Sequence, residues 1–250
     1  MYNPIRRNRN IGTDNQGFSN NNKLRIATPY GTLKSFYERI GKYHIINGHE
    51  FLFIVEETRE NCFHSCSVND IAKMIMHIPS EDYGNLRFII LRQAKRKEEI
   101  ISPVWGRLIY SFEFDKEYAP AIILDAIDTN KKLVWSKKMT IEDQKEFTRL
   151  REDKHLFTDN RKAYISPICS EPSRNTQLYR TLLHEFGHYV HYLEVVERPG
   201  SETEDYEMKE ERDNFYFQLP HVEKAKFAHQ YADRLKKKLI NDRIIPFDQS

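Results

Sequence analysis

The chain has 250 residues, enough to bury a sizeable core in one large domain or two small ones. Charged residues make up 30% and hydrophobic ones 39%, a soluble composition in which aromatics (12%) supply much of the core volume. A net charge of +2 is too small to imply nucleic acid as a partner, and three cysteines, an odd number, argue against a disulfide-built secreted domain.

Residues 1–22 are rich in Asn, carry Arg6, Arg7 and Arg9, and show no periodicity, which predicts a flexible arm rather than a signal peptide. The most apolar stretches, Phe51–Val55 and Ala119–Ile127, are far too short to span a bilayer, so a cytoplasmic protein is expected. Thr32–Ile40 can form a short helix. Tyr43–Ile46 and Phe51–Val55 flank Asn47-Gly48, a two-residue hairpin turn in which both residues tolerate positive φ. Cys62 and Cys66 with His64 lack a nearby fourth metal ligand, and reduced thiols packed at a loop–helix junction are expected. Ser67 and Asp70 form a capping-box pattern for a helix through Ile71, Met74, Ile75 and Ile78, stopped by Pro79.

Leu86–Leu91, Val104–Phe112 and Ala121–Ile127 read as strands, with Lys132–Trp135 as a fourth. Their immediate succession predicts an antiparallel meander. The basic run Arg92–Lys97 between the first two reads as a solvated hairpin tip. Thr140 caps a mostly polar helix over Ile141–Glu152, and Ala163–Cys169 is short and extended. A helix then starts near Thr176 and ends before Pro199-Gly200. Residues 201–214 are acidic with few apolar anchors and read as a loop. An amphipathic helix from Pro220 to about Ile240 closes the chain, with Val222, Ala225, Ala228, Tyr231, Ala232, Leu235 and Leu239 at 3–4 spacing.

Chemistry concentrates in Leu182-Leu183-His184-Glu185-Phe186-Gly187-His188, an H-E-x-x-H pattern inside an apolar helical run. Two His four apart lie ~40° from each other around a helix, so both imidazoles can reach one metal ion. The intervening Glu is too far round to be a natural ligand but can take the proton of a metal-bound water. Leu178, Leu182, Phe186, Tyr189 and Leu193 cluster opposite His184, leaving the His pair to face a cleft. A zinc hydrolase normally takes a third protein ligand. His191 rises one turn beyond the pair, and the acidic loop offers many carboxylates. On the terminal helix Glu223 stands four before Phe227, at the edge of the buried stripe.

Glu223-Lys224-Ala225-Lys226-Phe227-Ala228, following H-E-F-G-H, resembles the second signature of the minimal zincins of the ImmA/IrrE type. The resemblance covers the last third of the chain. It implies a gluzincin-like core with His184, His188 and Glu223 as ligands of Zn2+ and Glu185 as catalytic base. Tyr231, Tyr216, His191 and Tyr164 are the available oxyanion donors, with Tyr231 the first choice.

The expectation is therefore an α+β fold. A small antiparallel or mixed sheet packs against the H-E-x-x-H helix and a C-terminal helix, in one zincin-like domain over 23–250. Within it, 23–80 forms a hairpin and helix portion, 81–175 a sheet portion and 176–250 the metal-site helices. The expected activity is zinc-dependent hydrolysis of a peptide or protein substrate, with no membrane partner and nucleic acid disfavoured. Similarity to the ImmA/IrrE type also leaves open a metal-containing regulatory or DNA-associated protein, or a protease toxin or effector.

Overall fold

In the structure, a computed structural model, residues 18–19, 23–24, 41–95, 98, 105–200 and 205–249 are described. The expected helix over 32–40, Arg96 and Lys97 of the basic run, and all of the expected N-terminal arm except Phe18–Ser19 lie outside these residues.

The molecule is α+β, built on a mixed seven-stranded sheet. Two short strands, β1 (Phe18–Ser19) and β2 (Lys23–Leu24), pair antiparallel, so Phe18 and Ser19 belong to the sheet and not to an arm. β3 (Lys42–Ile46) and β4 (His49–Val55) form the predicted hairpin, with Asn47 at φ 51° and Gly48 at φ 81°. After the short β5 (Cys62–Phe63), helix α1 (Val68–Ile75) starts in the predicted capping box. Ser67 Oγ accepts the Asp70 amide at 3.0 Å, and the Asp70 carboxylate accepts the Ser67 amide at 3.3 Å.

Next come β6 (Phe88–Arg92), β7 (Gly106–Phe114) and β8 (Glu117–Asp125), and here the meander expectation fails. The strand order is β1-β2-β7-β8-β6-β4-β3, in which β8 lies between β6 and β7 and pairs parallel to β6. The physical reason is in the side chains. Phe88-Ile89-Ile90-Leu91 and Ala121-Ile122-Ile123-Leu124 are apolar at every position and all buried, so both strands need cover on two faces and take the sheet interior. β7 mixes buried and half-buried positions and lies outside them.

Successive residues divide between two cores. Phe51, Phe53, Ile89, Leu91, Ile122 and Leu124 face the helices, while Leu52, Ile54, Phe88, Ile90, Ala121 and Ile123 pack on the other side.

The fourth expected strand also leaves the meander. After β9 (Ile127–Asp128), which pairs with β5, β10 (Lys132–Ser136) joins a separate three-stranded sheet. Its partner is β12 (Ala163–Pro167), which also pairs with β11 (Thr158–Asn160); helix α2 (Ile141–Glu152) lies between β10 and β11 in sequence.

Helix α3 (Ser170–Thr176) runs through a π-helical turn (Gln177–Thr181) into α4 (Leu182–Tyr192), which ends in a second π-helical turn (Leu193–Glu197). The expected start near Thr176 is thus about two turns too late. The predicted apolar stripe Leu178, Leu182, Phe186, Tyr189 and Leu193 is buried, and Leu183 and Val190 are buried as well.

The acidic stretch read as a loop contains helix α5 (Tyr206–Gln218), anchored by buried Tyr216. α6 (His221–Asn241) buries Ala228, Tyr231, Ala232, Leu235 and Leu239, whereas Val222 in its first turn is 77% exposed. No helix among the described residues is long and apolar enough to cross a membrane.

One buried ion pair joins α1 to α3. Arg174 Nη2 lies 3.1 Å from Asp70 Oδ1 and its Nε 3.2 Å from Oδ2. Its Nη1 donates to Tyr179 Oη and to the Phe247 carbonyl, which ties in the C-terminal segment. Removing one partner strands the other charge in the interior, at a cost of about 3–5 kcal/mol. Arg174→Ala is therefore expected to lower unfolding free energy by about that amount in a urea titration. A loss of less than about 1 kcal/mol, typical of an exposed pair, would contradict this account.

Candidate metal and catalytic centre

Three side chains stand one turn apart, Arg180 in the π-helical turn before α4 and His184 and His188 within α4. Two π-helical turns bracket the segment. Such turns widen the helix and are frequent next to functional groups. Arg180 anchors the approach. Its Nε lies 2.7 Å from the buried Asp153 carboxylate, and its Nη1 2.6 Å from Glu146 of α2. Asp153 also accepts Thr176 Oγ1 at 3.0 Å and Lys236 Nζ at 3.2 Å, so one carboxylate holds α2, α3 and α6 together behind the His pair.

His184 Nε2 and His188 Nε2 face each other at 3.1 Å, with ring centroids 4.6 Å apart and planes at 85°. Burial holds both imidazoles neutral, His184 well below the ordinary histidine range and His188 down to about 3, and neighbouring His and basic side chains push the same way. A neutral imidazole keeps a nitrogen lone pair for a metal. Two such nitrogens at 3.1 Å suit one ion held at about 2.0–2.1 Å from each. His184 Nδ1 is buried without a hydrogen-bond partner among the described residues. The residues present therefore fit two positions of a zinc site. Among the described residues, no group of three or more His, Cys, Asp or Glu side chains is already gathered around one point.

Glu185 points to the sheet. One carboxylate oxygen accepts the backbone N–H of Leu108 in β7 at 2.8 Å, and burial raises its pKa to about 7. This bond ties the Glu185 carboxylate to a strand of the main sheet.

The α6 side chains differ from expectation. Glu223 is exposed in the first turn, and its charge bears on His191; the influences resolved on His184 and His188 come from other His, Lys and Arg residues. The structure does not bring it to the pair. The reason is helical register: α6 crosses α4 at Ala228, and Glu223 precedes that crossing by more than a turn. One residue after the crossing, the His229 ring lies 4.3 Å from that of His184, tilted by 40°. Burial pushes its pKa down to about 4, and its Nε2 lies 3.4 Å from Arg149 Nη1. His221 in turn acts electrostatically on His188. Sequence reading passed over both. The available clue was the spacing of His221 and His229 two turns apart on one helix face.

The oxyanion candidates are tied up elsewhere. Tyr231 donates to buried Asp82 at 2.8 Å, and Asp82 also pairs with Arg198 at 2.7 Å. Its place in the apolar stripe of α6 turns it into the core. His191 stacks on Phe227 with centroids 4.4 Å apart. Tyr216 donates to the His188 carbonyl at 3.1 Å and lies 2.8 Å from Tyr110 Oη, a brace for α4. Tyr164 packs against Phe147 in the smaller sheet.

In the Cys62–Cys66 segment Cys66 is buried and Cys62 half-buried, neither forms a disulfide, and His64 Nε2 lies 2.8 Å from the Glu56 carbonyl. Arg92, the first residue of the basic run, is not a solvated tip residue, because Asp125 holds it at 2.9 Å.

A cavity of about 740 Å³ is lined by His184, Glu185 and His229 together with Trp105 and Trp135. Comparison with protein-family models, curated proteins and solved structures gave no match for this chain.

Gly187 lies where the backbones of α4 and α6 approach closely. A Cβ there would sit 2.7 Å from the Ala228 carbonyl oxygen and 2.8 Å from its Cα. Helix propensity alone would make Gly187→Ala stabilising by about 1 kcal/mol. The clash with backbone reverses the sign, and a loss of about 1–3 kcal/mol is expected by chemical denaturation. A gain in stability would show that the helices separate freely here.

Proposed function

We propose that this protein is a zinc-dependent peptidase whose centre is formed by His184, His188 and Glu185. The observation that carries the reading is the pair of neutral imidazoles with facing Nε2 atoms 3.1 Å apart, beside a buried carboxylate and an open cavity. His184 and His188 would hold the ion, with a third position filled from α6. His229 is the side chain favoured for that position, because its ring lies against His184 whereas Glu223 stands in solvent. When bound, zinc supplies Lewis acidity and lowers the pKa of water toward ~7.

The chain's own residues then account for positioning and proton movement. Glu185 takes a proton from the attacking water on a carboxylate oxygen and returns it to the departing amine nitrogen. The Leu108 N–H holds the other oxygen, so the carboxylate keeps one orientation through both transfers. The same N–H points away from β8, at the outer edge of β7. Among the described residues β2 pairs with that edge only at Ser111 and Phe112, so the stretch near Glu185 retains backbone groups for an extended peptide.

Two outcomes test this reading. Glu185→Gln should retain zinc and lose at least about a thousandfold in peptide cleavage, within the range a positioned base contributes. Cleavage within tenfold of wild type would remove Glu185 from the role. Metal content by mass spectrometry should find zinc in the wild type, loss in His184→Ala, loss in His229→Ala and retention in Glu223→Ala. The reverse order for the last two would return the third position to Glu223. Zinc bound by none of the forms, wild type included, would end the metal reading.

A further inference from the structure

The cavity beside Glu185 has features the catalytic centre does not need. Its lining includes His184, Glu185 and His229, Trp105 and Gly106 at the start of β7, and residues of β10. From the β10 side, five consecutive residues line it, Lys131 through Trp135. Side chains on a strand alternate between two faces, so a strand that shows only one face contributes every second residue. A consecutive run means that β10 presents its edge. That edge is open: the smaller sheet runs β10-β12-β11, and β10 pairs with β12 alone among the described strands.

Most of the lining surface is apolar, with Asp128, Lys131 and Lys132 also among its residues. Trp105, Ile127, Leu133, Trp135, Leu150 and Ile168 supply apolar surface. The principal acids there are already matched, Asp125 by Arg92 at 2.9 Å and Arg107 at 3.0 Å, and Glu146 by Arg180 at 2.6 Å. Ion-paired acids leave little demand for a charged ligand group, and two tryptophans offer large apolar faces. At about 740 Å³ the space exceeds one side chain and suits a short length of extended chain.

We infer that this cavity receives an extended segment of the peptide substrate, which adds to the free edge of β10 and lodges a large apolar side chain between Trp105 and Trp135. The inference rests on the peptidase reading above and adds to it a substrate class, an extended polypeptide selected by a large aromatic or aliphatic residue. β10 is thereby a second recognition edge, separate from that of β7. Backbone pairing supplies affinity for any sequence, and the Trp-lined space supplies selection.

The test uses the zinc-loaded wild-type enzyme and a random library of acetylated, amidated decapeptides. The cleaved products should show a large apolar residue at one fixed distance from the broken bond. The best peptide is then N-methylated at each backbone nitrogen in turn. Strand pairing predicts alternation: methylation at every second nitrogen on the β10 side lowers kcat/KM at least tenfold, and the nitrogens between tolerate it. Trp135→Ala should raise KM for that peptide at least fivefold with kcat within twofold, and should erase its advantage over the peptide with Ala at the selected position. Because the N-methyl series needs no variant, it decides even where Trp135→Ala fails to fold. Cleavage without apolar selection, or with no alternation, overturns this inference and leaves the peptidase reading standing. No cleavage of any library member by zinc-loaded enzyme overturns both.

Discussion

The close approach of α4 and α6 at Gly187 and Ala228 is the contact on which the rest of the candidate centre depends. Backbone meets backbone there with no room for a side chain. Helices that approach this closely have their register set by the contact, because either can slide or rotate only by forcing atoms into overlap. The crossing thus decides which side chains of α6 look at His184 and His188. His229, one residue past Ala228, comes against His184; Tyr231, three past it, turns inward to Asp82. Glu223 lies in the turn that has not yet reached the crossing.

α4 is also restrained along its length. Arg180 is locked between Asp153 and Glu146, Glu185 is bonded to Leu108 of β7, and the His188 carbonyl is bonded to Tyr216. Each restraint draws on a different element: α2 and the residue after it, the main sheet, and α5. The two facing imidazoles are held by a frame on several sides, which is the condition for a preorganised arrangement of side chains. A long polar network is costly if any member is missing, and here Asp153 alone accepts from three elements.

Several local features could be read directly from residues. The Asn47-Gly48 turn, the Ser67 capping box, the Thr140 cap and the apolar stripe of α4 depend on neighbours within a few positions, and the structure realises all of them. The sheet order could not be read the same way. Strand propensity identified β6, β7 and β8, but pairing joins segments far apart in sequence. The deciding fact was that two of the three are apolar on both faces and must lie inside. The acidic stretch that forms most of α5 lacked an apolar period, and tertiary contacts show why a helix is held there: Tyr216 docks on Tyr110 and the His188 carbonyl, and Asp213 accepts from Tyr192.

For the centre itself, sequence determined the pair His184 and His188 and the intervening Glu185, because i, i+4 spacing on one helix places two imidazoles together whatever surrounds them. The tertiary structure alone decided how Leu108 holds Glu185, how the His229 ring comes against His184 while Glu223 stays exposed, and how β10 joins a separate sheet beside a cavity lined by two tryptophans. The reason is physical. A helix periodicity propagates only along its own chain, whereas the register between two helices or two sheets is set by the packing of residues dozens of positions apart.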